Sequence, residues 1–73
     1  MLATSQTSSE VVSARIKVER NSKGLSQAKL AEMAGIDRKT VNRIENGHFS
    51  PTLETLIALG DALGVSPHLL LSR

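Results

Sequence analysis

The sequence predicts an all-α fold, five short helices closed into one compact bundle, and three features predict it. Helix openers and helix stops alternate along most of the chain, with Ser26, Asp37, Thr52 and Ser66 as the openers and Gly24, Gly35, Gly47 and Gly64 as the stops. Between them apolar residues recur three and four positions apart, which is the helical period. The chain has 73 residues and no cysteine, so one core held by helix packing must suffice without disulfides or thiolate-bound metal. Hydrophobic residues make up 40% and charged residues 22%, a globular balance far from the composition of disordered chains.

Each element follows from local chemistry. Residues 1–9 read as a polar, Ser/Thr-rich leader that is mobile until something docks it, and residues 10–73 as the folded domain. Ser9 and Glu10 open a first helix that runs to about Ser22, with Val12, Ile16 and Arg20 at four-residue spacing on one stripe. Val11 and Val18 lie on another face and are expected to stay partly exposed. Ser26 caps a second helix, Gln27 to Ala34, whose inward positions are Leu30, Ala31 and Ala34, and Gly35 ends it in a left-handed turn. Only Ile36 separates that glycine from Asp37, the cap of a third helix from Arg38 to about Glu45, which Asn46-Gly47 terminates. A fourth helix covers Leu53 to Leu63, capped either by Thr52 or by Ser50 with Pro51 in the first helical position. Ser66-Pro67 opens a last short helix through about Leu71 on the same logic.

Composition excludes several classes of function. Phe49 is the single aromatic residue, which argues against single-strand binders that stack bases on rings. The longest apolar run, Leu56 to Leu59, falls far short of the roughly 20 residues that span a bilayer, and the leader lacks the features of a signal peptide. The expectation is a soluble, cytoplasmic protein with no membrane partner. His48 and His68 have no further ligand in register and the serines have no neighbouring base, so no metal, no cofactor and no enzymatic activity are expected. Net charge is only +2, but residues 15–48 carry eight of the nine basic side chains against four of the seven acids.

The third helix concentrates the functional signal. At about 100° per residue, Val41, Ile44 and Glu45 group on one side and Arg38, Lys39, Asn42 and Arg43 on the other. The outward stripe holds no carboxylate, although solvated faces ordinarily mix their charges. Taken alone it could be a solubilising face; guanidinium, ammonium and amide groups are also those that read base edges in a major groove. Small Ala31 where two helices cross, Gly35 in the turn, Ile36 plugging it, and Leu30, Val41 and Ile44 facing inward meet the requirement of a helix-turn-helix.

Over about residues 12–71 the chain resembles the helix-turn-helix proteins of the Cro and phage-repressor type, the xenobiotic-response-element family. The resemblance rests on Arg20, Gly24-Leu25-Ser26-Gln27, Leu30-Ala31, Gly35-Ile36, Val41, Ile44-Glu45-Asn46-Gly47, Pro51, Leu53 to Leu56, and Ala62-Leu63-Gly64-Val65-Ser66. It implies a lambda-repressor-like domain in which Arg38, Lys39 and Arg43 touch base edges with Asn42 beside them. Ser26, Gln27, Thr40, Asn46, Ser50 and Thr52 then fall where the family contacts phosphates, and Arg20 and Glu45 match an ion pair buried between the first and third helices. Phe49 occupies the loop where a basic residue is usual and is expected to be a packing plug.

The implied function is sequence-specific binding of double-stranded DNA as a transcriptional regulator, a repressor in preference to an activator, in a bacterial or phage-encoded, nucleoid-associated protein. Leu69, Leu70 and Leu71 are consecutive and fan over about 200° of a helix, so they cannot all enter one small core. Leu69 and Leu71 are therefore assigned to a homodimer interface, which suits a two-fold operator. The rival reading is an antitoxin-like protein-interaction module that also binds its own promoter.

Overall fold

The second, fourth and fifth helices begin where a serine or threonine side chain accepts one of their orphaned backbone N–H groups. The computed structural model describes residues 8–70, with side chains from Glu10 onward, so most of the expected leader, and Leu71, lie outside the described residues. Five helices follow one another: α1 (Ser8–Ser22), α2 (Gln27–Ala34), α3 (Arg38–Glu45), α4 (Leu53–Leu63) and α5 (Pro67–Leu70). The first helix starts one residue ahead of the expected Ser9. Ser26 Oγ accepts the Lys29 N–H at 2.9 Å and Ser66 Oγ the Leu69 N–H at 3.3 Å. Thr52 Oγ1 accepts the Thr55 N–H at 3.1 Å, which decides the cap of α4 against the Ser50–Pro51 alternative. Asp37 has the extended backbone of a cap, but its carboxylate makes no capping bond, so only its main chain opens α3.

Gly35 is where the motif turns. Its φ of +71° lies in the left-handed region, and that conformation lets the Ile36 N–H reach back to the Ala31 carbonyl at 2.9 Å. Ile36 then packs half-buried on the core, so α2 and α3 cross with only Gly35, Ile36 and Asp37 between them.

The core is aliphatic throughout. Val12 and Ile16 of α1, Leu30 and Ala31 of α2, Val41 and Ile44 of α3, Leu56, Leu59 and Leu63 of α4, and Leu70 of α5 form one buried cluster. Ala34, expected among them, is only half-buried at the cluster's edge. Two expectations need correction. Val11 is buried, not partly exposed, because α1 packs against α3, α4 and α5 and so has more than one stripe covered, while Val18 is 59% exposed. Phe49 is 41% exposed, so it does not plug the α3–α4 loop; the aliphatic cluster closes without it. Among the described residues no helix is long and apolar enough to cross a membrane.

Gly60 takes a part that its place in the helical pattern did not suggest. It is buried inside α4, and a Cβ there would lie 2.8 Å from the Val65 carbonyl oxygen and 3.4 Å from the Pro67 nitrogen. The chain entering α5 thus rests directly on the α4 backbone. Alanine in place of a helical glycine gains about 1 kcal/mol of propensity, whereas forcing backbone apart in a packed interior costs about 1–3 kcal/mol. Gly60→Ala is therefore expected to lower stability on balance, seen as an earlier midpoint in urea. A midpoint at or above the parent's would show that the α4–α5 connection yields freely.

Candidate functional site

The third helix, α3, has two sides of opposite character, and the inward side is fixed by one carboxylate. Glu45 has a side chain 1% exposed, and α1 supplies its counter-charge across 25 positions of sequence. Arg20 donates Nε to Oε2 at 2.6 Å and Nη2 to Oε1 at 2.9 Å, the parallel fork that a planar guanidinium presents to a carboxylate. Its remaining arm, Nη1, donates to the Leu25 carbonyl at 2.8 Å, which ties the end of α1 to the segment entering α2. The bond to Glu45 holds the Arg20 guanidinium above its already high ordinary pKa. A raised cationic pKa contributes stability that is fully present below the unfolded value and is lost only at extreme alkalinity.

Two more groups converge on the same residue. Ser13 Oγ donates to the main-chain carbonyl of Glu45 at 2.7 Å, satisfying one of the orphaned carbonyls at the end of α3. Gln27 Nε2 donates to Glu45 Oε1 at 3.1 Å. The end of α3 is thus held from α1 by Ser13 and Arg20 and from α2 by Gln27. Ser13 escaped the sequence reading because a lone serine within a helix carries no signature of a partner 32 positions away.

The outward side presents what the sequence assigned to bases. Arg38, Lys39 and Arg43 are all exposed, and none of them is ion-paired with another described residue. Asn42, placed in the same stripe by helical angle, is not equivalent to them. It is half-buried, with Nδ2 donating to Gln27 Oε1 and Oδ1 accepting from Asn46 Nδ2, each at 3.2 Å. The physical reason is its position one turn before Asn46 and opposite the start of α2.

The six residues assigned to phosphates divide by what their side chains already do. Ser26 spends an acceptor on its cap and keeps its O–H to donate. Thr52 also donates to Thr55 Oγ1 at 3.0 Å, so its hydroxyl proton is engaged. Gln27 braces α3 through both ends of its amide, with one N–H left over. Ser50 and Asn46 are exposed and Thr40 is half-buried. Leu70 is fully buried while its neighbour Leu69 is 37% exposed. Leu53 and Ile57, one turn apart on α4, are exposed to 70% and 42%. Among the described residues no cluster of His, Asp or Glu could hold a metal ion.

Comparison with known proteins agrees with this architecture. The sequence model of the helix-turn-helix family matches residues 16–70. A prophage-derived helix-turn-helix transcriptional regulator of Bacillus subtilis, YonR, is 44% identical over 57 residues, covering 78% of this chain and 53% of its own length. The chain therefore spans about half of that relative. The control protein C.SmaI of Serratia marcescens is 38% identical over 64 residues, covering 88% of this chain and 76% of its own. The P22 c2 repressor protein, solved in complex with a synthetic operator, superposes with a TM-score of 0.79 at 33% identity, covering 84% of this chain and 92% of that one.

Removing the Glu45 carboxylate would strand the Arg20 guanidinium and release Gln27 from α3, while Ser13 would keep its bond to the main-chain carbonyl. Breaking one partner of a buried pair costs about 3–5 kcal/mol, a large part of what a small domain has. Glu45→Ala is expected to unfold at a much lower temperature than the parent. Parent-like thermal melts would show that the pair contributes nothing to folding.

Proposed function

Because the chain belongs to the helix-turn-helix family, we propose that it binds double-stranded DNA sequence-specifically as a transcriptional regulator, acting as a repressor with α3 in the major groove. The observation that carries this reading is the outward stripe of α3. Arg38, Lys39 and Arg43 stand exposed and unneutralised on a helix whose other side is locked into the core. A groove about 12 Å wide admits such a helix, and arginine or lysine pairs with guanine O6 and N7 there. The relatives support the same reading, since one is named a transcriptional regulator, one a control protein, and one is a repressor protein solved on a synthetic operator.

Phosphate contacts fix the register of the helix. The exposed N-terminal end of α2, with the free Ser26 O–H and the spare Gln27 N–H, faces phosphates on one side of the groove. Asn46 and the loop through Ser50 to Thr52 supply the other side, largely through main-chain N–H groups, with Thr40 between them. Repression needs only that a promoter be occupied, so it asks for no further surface.

One recognition helix reads few base pairs, and two related by a two-fold axis would read half-sites about 34 Å apart. The exposed apolar side chains of Leu53, Ile57 and Leu69 support a homodimer through α4 and the C-terminal region, to which Leu71 is also assigned.

Selection of duplexes from a random pool by the purified protein tests the function. The expected result is a defined site with two half-sites, bound with a steep salt dependence. Arg38→Ala and Arg43→Ala are each expected to relax preference at particular base pairs by about 1–3 kcal/mol, measured on selected and mismatched duplexes. Gln27→Ala is expected to weaken binding to all sequences alike. Salt-dependent binding without base preference would favour a protein-interaction module instead. Sedimentation on the selected duplex is expected to show two protomers per site, and one protomer at every concentration would remove the dimer.

A further inference from the structure

A row of three side-chain amides crosses the flank of α3 and ends on Glu45. Asn46 Nδ2 donates to Asn42 Oδ1 at 3.2 Å, Asn42 Nδ2 donates to Gln27 Oε1 at 3.2 Å, and Gln27 Nε2 donates to Glu45 Oε1 at 3.1 Å. All three bonds run in one direction. The order is imposed from the buried end, because an ionised carboxylate can only accept. Gln27 must turn its NH₂ to Glu45, which leaves its carbonyl for Asn42. Asn42 must then give its own NH₂ to that carbonyl, which leaves its oxygen for Asn46. Glu45 cannot swing away to release the row, being held by two bonds from Arg20 at 2.6 and 2.9 Å. Bonds aligned head to tail polarise one another and strengthen along the row.

We propose that Asn42 is a positioning residue for DNA binding, which joins Gln27 and Asn46 into one preset unit and reads no base itself. The assignment rests on the function proposed above, in which Gln27 and Asn46 meet phosphates on the two sides of the groove. Those two residues belong to different helical segments, and Asn42 is the side chain that hydrogen-bonds to both. Its half-buried amide has its oxygen and one N–H committed to them, whereas Arg38, Lys39 and Arg43 carry exposed charges with no ion pair. Fixing one phosphate contact therefore fixes the other, and the ordering cost of both amides is met before the duplex arrives.

The test is a double-mutant cycle on the duplex that the parent protein selects from a random pool. Affinities are measured for the parent, Gln27→Ala, Asn46→Ala and the double variant, then for the same four carrying Asn42→Ala. In the parent background the double variant is expected to lose less than the product of the single losses, by about threefold or more. In the Asn42→Ala background the losses are expected to multiply. Asn42→Ala alone is expected to weaken all duplexes by a similar factor with the selected sequence unchanged. In the free protein, Gln27→Ala is expected to shift the Asn46 side-chain amide resonances when Asn42 is present and to leave them in place in Asn42→Ala. Selective binding with multiplicative losses in the parent, or a changed base preference in Asn42→Ala, would overturn the assignment alone. A parent that prefers no duplex would overturn the DNA-binding reading and this assignment with it.

Discussion

Glu45 is a carboxylate withdrawn almost completely from water, and such a group is compatible with folding only when its charge is countered and its oxygens are filled. Arg20 fills both oxygens with one planar fork, Gln27 adds a third bond, and Ser13 takes the carbonyl of the same residue. Because these partners come from α1 and α2, the carboxylate is satisfied only when three helices stand at one mutual rotation. The apolar core could tolerate some sliding of aliphatic side chains. The bidentate pair cannot, since a guanidinium rotated out of plane loses one of its two bonds. The rotation of α3, and so the direction in which its outer stripe points, is set by this pair more than by the aliphatic packing beneath it.

The first turn of α3 carries a charge pattern unfavourable to the helix itself. Cations near a helix N-terminus oppose the macrodipole, typically by about 0.3–1 kcal/mol each, and Arg38 and Lys39 occupy the first turn of α3 with no acid beside them in that turn. Asp37 offers no side-chain cap in compensation. An isolated eight-residue segment of this kind would not hold a helix in water. Val41 and Ile44 in the core, with Glu45 in its network, must offset the deficit. The helix is stabilised from behind and left repulsive in front, an arrangement that favours an approaching polyanion.

Much of this was legible in the sequence because local chemistry specifies it. The glycine stops, the Ser26 and Thr52 caps, and the inward set of Leu30, Val41 and Ile44 each follow from residues within one or two turns. The Arg20–Glu45 pair was legible only through a family resemblance, since nothing local joins residues 25 positions apart. What was not legible depends on tertiary neighbours. Helical angle put Asn42 with the cationic stripe, and its bond to Gln27 depends on the approach of α2, which the sequence does not show. Val11 is covered because several helices pack on α1, and Gly60 because Val65 and Pro67 cross α4 there. Phe49 misled because a lone aromatic residue suggests a core position, while here the aliphatic cluster is already closed.

The residues that hold α3 in place and those on its outward stripe form separate sets. Arg38, Lys39 and Arg43 are exposed and ion-paired with no described residue, so replacing them removes no buried contact and alters the fold little. Arg20, Ser13, Gln27 and Glu45 are the reverse, each bonded to a group on another helix. Under the proposed function, base preference would vary at these three positions while the rotation that aims them stays constant. Asn42 lies at the boundary of the two sets, on the outer stripe by sequence position and bound to Gln27 by its amide. A substitution there would break the bonds that join Gln27 to Asn46, so under the proposed function it is the position at which specificity and the frame are hardest to change independently.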